Sequence, residues 1–146
     1  MTRPSRVFWM ISVALLLWAL GGVSIYVAYF LESPQQFAET AEDSANRQAY
    51  ADYVSDIPFW AIAVGIVAAL ARLLGAIGLL MRRAWALPFY VLSAFFFLIA
   101  LYRAFVLAGV AAVMGAHHIG VEAVFLALSG FAIWFARSNR TKGVLR

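Results

Sequence analysis

Two long apolar runs, separated only by Arg82-Arg83, restrict this chain more than any other feature. Ile57 to Met81 carries a single charge, Arg72, and Ala84 to Val113 carries a single charge, Arg103. A helix that crosses a bilayer needs about 20 predominantly apolar residues. Each run meets that length, and a basic pair between two such runs marks a cytoplasmic turn. The pair therefore reads as a transmembrane hairpin.

Composition supports this reading. Of the 146 residues, 65% are hydrophobic and 12% are charged, against about 25% charged in ordinary soluble domains. Without cysteine there is no disulfide, thiolate metal site or thiol redox chemistry. The net charge of +4 does not point to nucleic acid. The basic residues sit at the ends of the apolar runs, where they set topology.

The first apolar run, Val7 to Leu31, follows Arg3 and Arg6. It is longer than a signal-peptide core of about 7–15 residues. Ala28-Tyr29-Phe30 is also a poor small-residue cleavage site, so the segment reads as a retained span. Trp9, Tyr26 and Tyr29 stand near its ends, as interfacial aromatics do, and Gly21-Gly22 leaves room for a close helix neighbour.

Glu32 to Asp56 is the one long polar segment. Ser33, Pro34 and Gln36 supply a cap, a first-turn proline and a capping-box glutamine. Phe37, Ala41, Ala45, Ala49 and Tyr53 then recur every four residues, widened by Tyr50 and Val54, opposite Glu39, Glu42, Asp43, Arg47 and Asp52. This spacing predicts an amphipathic helix over 34–54. Its acidic face does not suit anionic lipid, so the helix is expected to rest on the extracytoplasmic surface or cap the mouth of the bundle.

The second span is expected to open at Asp56-Ile57-Pro58, with Asp56 as cap. It places Ala61, Gly65, Ala69, Arg72 and Ala76 on one face. A small-residue face packs against another helix, which directs Arg72 inward. In the third span Phe95, Phe96 and Phe97 point around the helix, so at least one should meet lipid. Gly115, His117, His118 and Gly120 read as a short turn. The fourth span, from Val121, is then short, with Glu122 in or just below the outer interface.

Charge orients these segments. Glu32 to Asp56 holds six acidic residues against Arg47, while Arg3 and Arg6, Arg82 and Arg83, and Arg137, Arg140, Lys142 and Arg146 stand without acids. With four spans every basic cluster falls on one side, which predicts a multi-pass protein of the bacterial inner membrane with both termini cytoplasmic. The expected fold is all-α: an integral membrane four-helix bundle with an additional amphipathic extracytoplasmic helix. It forms a single transmembrane domain over 1–146, with spans at 7–31, 57–81, 86–112 and 120–136.

The polar residues within the spans are the candidate sites. Arg72 lies near mid-bilayer, where an arginine costs about 3 kcal/mol on translocon scales and more by simulation. Tyr90 and Ser93 lie near its depth and offer oxygens without charge. Two readings stay open for Arg72. It holds an anion, a lipid headgroup or a partner's carboxylate, or it is solvated by backbone carbonyls and a water defect. Arg103 lies near the outer headgroups, where it either pairs with Glu122 or snorkels to phosphates. His117 and His118 with Glu122 are weak candidate metal ligands, too few for a closed site, and no cofactor is expected. There is no Walker motif, dinucleotide fingerprint, HExxH or hydrolase elbow, so an enzyme is the weaker class.

Phe8-Trp9, the acidic loop with tyrosines, Pro58-Phe59-Trp60, the run Leu79-Leu80-Met81-Arg82-Arg83-Ala84-Trp85-Ala86-Leu87-Pro88 with Ser93 after it, and Trp134-Phe135-Ala136-Arg137 give the chain a resemblance to a known group. They resemble a family of small bacterial four-span membrane proteins of no established activity, often automatically labelled "sugar transporter". The resemblance covers most of the chain but brings no catalytic or substrate residues to carry over. Arg72 interrupts a helix that is rich in glycine and small residues in that family.

The leading functional expectation is an accessory or structural subunit acting through helix–helix contacts. The alternatives are an oligomeric small-solute or anion transporter using Arg72 and, more weakly, a membrane-embedded enzyme. The expected partners are the lipid bilayer and a homo-oligomer or larger membrane complex, without nucleic acid.

Overall fold

A computed structural model describes residues 4–32 and 47–146, apart from the side chains of 47 and 111–118. The described residues are helical and include four helices long and apolar enough to cross a membrane. The expected all-α four-helix bundle is therefore the fold observed.

α1 spans Arg6–Leu31. Ser5 caps it, its hydroxyl accepting from the Phe8 amide at 3.2 Å. Phe8, Ser12, Leu15, Ala19 and Gly22 are buried, at spacings of three and four that make one continuous seam. α2 spans Arg47–Ser55. The rest of the predicted 34–54 helix, with Phe37, Ala41 and Ala45, lies outside the described residues. Within α2, Ala51 and Val54 are buried, Tyr50 and Tyr53 are half-buried and Ala49 is exposed. The apolar face is thus turned slightly from the expected stripe, with Ala51 in place of Ala49.

α3 spans Phe59–Leu80. Its N-cap is Pro58, with no side-chain cap bond, so Asp56 does not play the capping role assigned to it. The Asp56 amide instead closes α2 on the Asp52 carbonyl at 3.1 Å. Of the predicted face Gly65, Ala69, Arg72 and Ala76 are buried and Ala61 is half-buried, and Ala68, Gly75 and Gly78 are buried beside them. The neighbours that fill this face belong to the same chain. A Cβ at Gly65 would collide with the Tyr26 phenol of α1, one at Gly75 would stand 3.1 Å from the Tyr90 ring, and one at Gly78 would stand 2.8 Å from Trp85.

Between α3 and α4 the chain turns at Arg82, whose φ of 56° is in the left-handed region and costs a non-glycine residue about 1–2 kcal/mol. This conformation lets the Arg83 amide reach back to the Gly78 carbonyl at 2.8 Å, ending α3. Residues 144–146 fold against the turn. Arg82 Nε donates to the Val144 carbonyl at 3.2 Å, the Arg146 amide donates to the Arg82 carbonyl at 2.8 Å, and the Ala84 amide donates to the Arg146 carbonyl. Val144 and Leu145 join Phe8, Leu79, Ala86, Phe135 and Ala136 in the buried apolar cluster at this end.

α4 spans Ala86–Tyr102 and continues as one π turn, Arg103–Leu107. Its hallmark is the Ala108 amide on the Arg103 carbonyl at 3.0 Å, five residues back. Phe95 is exposed and Phe97 faces the bundle interior, so the three phenylalanines do divide between lipid and core.

α5 spans Val110–Thr141, 32 residues. This corrects the expected connection. The chain turns at Gly109, at φ 59° and ψ 34°, where glycine carries no Cβ penalty. Gly115, His117, His118 and Gly120 form no turn but lie inside the helix. The histidines look like loop residues in sequence, yet nothing around them forces the backbone out of helix. At about 1.5 Å per residue α5 is about 48 Å long, well beyond a hydrocarbon core of about 30 Å, and its part long and apolar enough to cross a membrane is Ile119–Thr141.

The four long helices form a ring in the order α1, α3, α4, α5. α3 packs against α1 and α4. α5 packs against α4 and closes on α1 through the stacked rings of Phe8 and Phe135, 5.8 Å apart, and through Trp18 and Phe125 at 5.9 Å.

Candidate functional site

Away from the Arg82 turn the ring of helices opens into a cavity of about 500 Å³, within the 300–1,000 Å³ usual for small-ligand sites. α1 contributes Gly22, Ile25, Tyr26 and Tyr29, and α3 contributes Ala61, Ile62, Gly65, Ala68, Ala69 and Arg72. α4 and its π turn add Phe97, Leu101, Arg103 and Ala104, and α5 adds Val121, Glu122 and Phe125. Tyr50, Tyr53 and Val54 of α2 lie across this end, which is the capping position expected for the amphipathic helix.

Arg72 is 4% exposed and held by aromatic faces. Its guanidinium carbon lies 4.2 Å from the Trp18 ring centre, 5.5 Å from that of Phe97 and 5.8 Å from that of Phe125. Gly22 makes the approach possible, since a Cβ there would stand 3.3 Å from Nη1. A desolvated cation–π contact contributes about 2 kcal/mol. That offsets much of the roughly 3 kcal/mol cost of placing an arginine at mid-helix. Hydrogen bonding is less complete, because the buried Nε has no partner. Of the groups around the guanidinium, Glu122 is the acidic one.

Neither oxygen expected from α4 bonds Arg72. Ser93 donates to the Ala68 carbonyl at 2.8 Å, joining α4 to α3. Tyr90 lays its ring on Gly75 and its buried hydroxyl has no hydrogen-bond partner, so it supplies no bond to Arg72.

Arg103, also buried, meets α2. Its Nη1 donates to the Tyr53 hydroxyl at 2.9 Å, and its guanidinium carbon lies 5.1 Å from the Tyr53 ring centre. Arg103 thus ties the π turn of α4 to α2 through Tyr53. Glu122 is half-buried in the same cavity, where Arg72 is the cation acting on it. Tyr50 stacks on Tyr53 at 6.3 Å. Burial pushes the Tyr53 phenol up from its usual range while the charge and hydrogen bond of Arg103 act in the opposite sense. Burial raises Tyr50 as well, with Tyr53 adding to the effect.

The structure thus brings Arg72, Arg103 and Glu122 to one cavity and leaves Tyr90 and Ser93 in the helix packing beside it. The side chains of His117 and His118 lie outside the described residues, and no cluster of three metal-ligating side chains occurs among the described ones. Sequence reasoning missed Trp18, Phe97 and Phe125 as the seat of Arg72. Trp18 carried a signal, since it stands in mid-span and not at an interface where tryptophan concentrates. Comparison with known protein families, with curated proteins and with solved structures finds no match to this chain.

Proposed function

We propose that this membrane protein is a binding unit for a small anion and that Arg72 is the counter-charge for its ligand. One observation carries the reading: a buried guanidinium lines a cavity of about 500 Å³ with its Nε unpartnered. With Arg103 and Glu122 in the same lining the cavity is formally net positive by one, and a buried net charge favours a bound opposite charge. The oligomeric anion transporter fits this site better than the accessory subunit. The small-residue face of α3 is occupied by Tyr26, Tyr90 and Trp85 of the same chain, which takes up a surface that helix–helix contacts with another chain could use. Transport also needs a second access state, which an oligomer or a larger membrane complex would supply.

The distribution of basic residues supports an inner-membrane orientation with both termini and the Arg82 turn cytoplasmic, which puts α2 and the cavity mouth outside. The lack of cysteine makes single-cysteine labelling in intact cells a direct test. Ala69→Cys, in the cavity, is compared with Ala49→Cys on the exposed side of α2. Relative to Ala49→Cys, Ala69→Cys should react faster with an impermeant anionic methanethiosulfonate than with its trimethylammonium counterpart, and Arg72→Gln should remove the preference. An Ala69→Cys thiol that neither reagent reaches, or one with no charge preference, contradicts the proposal.

A further inference from the structure

Resting on the reading that the cavity takes an anion, we infer that its ligand is an amphipathic monocarboxylate, with the carboxylate on Arg72 and an apolar body along α1, α3 and α4. Charge sets the valence. The charged residues among the described lining are Arg72, Arg103 and Glu122, formally two positive and one negative, so one negative charge balances them. A dianion such as a phosphate monoester would face the Glu122 carboxylate with its second charge.

Geometry sets the headgroup. Trp18 covers one face of the guanidinium, and the Phe97 and Phe125 rings stand within 6 Å of its carbon. With aromatic rings occupying its surroundings, the hydrogen-bonding capacity of Arg72 lies in its own plane, where carboxylates bind as a planar fork. The unpartnered Nε is one of those in-plane donors.

The walls set the body. Ile25, Val54, Ala61, Ile62, Leu101 and Ala104 line the cavity and offer nothing to a ring of hydroxyls. A sugar would find the Tyr26, Tyr29, Tyr50 and Tyr53 phenols, Arg103 and Glu122 in the lining, but each hydroxyl set against those apolar walls would be left without a partner, at a cost of about 1–3 kcal/mol. An alkyl or aryl chain would instead remove apolar surface from water. An amphipathic acid can arrive from the aqueous phase or from the bilayer, and the headgroup chemistry is the same.

The test uses the full chain in phosphatidylcholine nanodiscs, with radiolabelled decanoate as probe and empty nanodiscs as blank. Decanoate should bind saturably, and decanol and decyltrimethylammonium should compete at least tenfold more weakly. Arg72→Gln should weaken decanoate at least tenfold, about 1.4 kcal/mol, while Trp134→Phe on the lipid-facing surface should leave it unchanged. Glu122→Gln gives a readout independent of the Arg72 variant's folding, since it should strengthen decyl phosphate relative to decanoate. Competition by benzoate identifies an aqueous source and competition by palmitate a bilayer source, and each supports the carboxylate assignment. Equal competition by decanol, full decanoate affinity in Arg72→Gln, or an unchanged phosphate-to-carboxylate ratio in Glu122→Gln overturns the assignment. The broader anion reading is judged separately by the thiol-labelling rates.

Discussion

The guanidinium carbon of Arg72 lies 4.2 Å from the centre of the Trp18 ring, so the charge at the base of the cavity is held by an indole face of α1. If that contact stabilises the fold, replacing either residue should remove the same energy. A double-mutant cycle of Arg72→Leu and Trp18→Leu, followed by denaturant unfolding in mixed micelles, should return a coupling of about 1–2 kcal/mol. Coupling below about 0.3 kcal/mol would mean that the two only share a space.

The close approach of α1 to α3 predicts a selective glycine effect. Gly65→Ala should destabilise the protein by about 1–3 kcal/mol, because the new Cβ meets the Tyr26 phenol. Tyr26→Leu should recover part of the loss. Gly21 and Gly130 have nothing within 4 Å of a built Cβ, so alanine there should be neutral or stabilising by up to about 1 kcal/mol. Equal effects at all three glycines, read from melting temperatures, would contradict this packing.

Gly109 separates the π turn from α5 at φ 59°. Gly109→Ala should cost about 1–2 kcal/mol, and Gly109→Asn less, since asparagine visits this region more readily. An alanine variant as stable as the parent would show that the turn lies elsewhere.

The attachment of α2 should depend on pH. The raised Tyr53 and Tyr50 phenols stay protonated in the folded protein beyond the unfolded tyrosine value of about 10. Their contribution is therefore complete below about pH 10 and is lost as pH rises through the higher folded values. Hydrogen exchange in α2 should be flat between pH 7 and 9, after correction for intrinsic chemistry, and accelerate above pH 10. Tyr53→Phe, which loses the bond to Arg103, should speed α2 exchange severalfold at neutral pH. A Tyr53→Phe profile that matches the parent would remove the role given to that bond.

The bundle was legible because apolar length and small-residue spacing are local signals. Gly65, Ala69, Arg72 and Ala76 shared a face on the helical repeat and are buried together in the structure. The break at Gly109 was not legible, since Ala104 to Val113 is apolar on both sides of it and periodicity does not distinguish a helix from a helix with one extra residue in a turn. The polar pair His117-His118 drew the turn to itself instead. The seat of Arg72 was hidden for a different reason. Trp18, Phe97 and Phe125 come from three helices, and only the packing angle of those helices brings their rings around one guanidinium.

The three keyed glycines of α3 also limit how the protein can move. Tyr26 of α1 sits over Gly65, Tyr90 of α4 over Gly75, and Trp85 over Gly78. A slip of α3 by one helical turn, about 5.4 Å, would drive the Tyr26 ring off Gly65 onto the side chains of Ala61 or Ala69. α1, α3 and α4 are thereby coupled against sliding and form a fixed frame. α2 and α5 bear no such keys among the described residues. Any widening or closing of the cavity would therefore have to come from them, across the Arg103–Tyr53 bond that joins α2 to the end of α4.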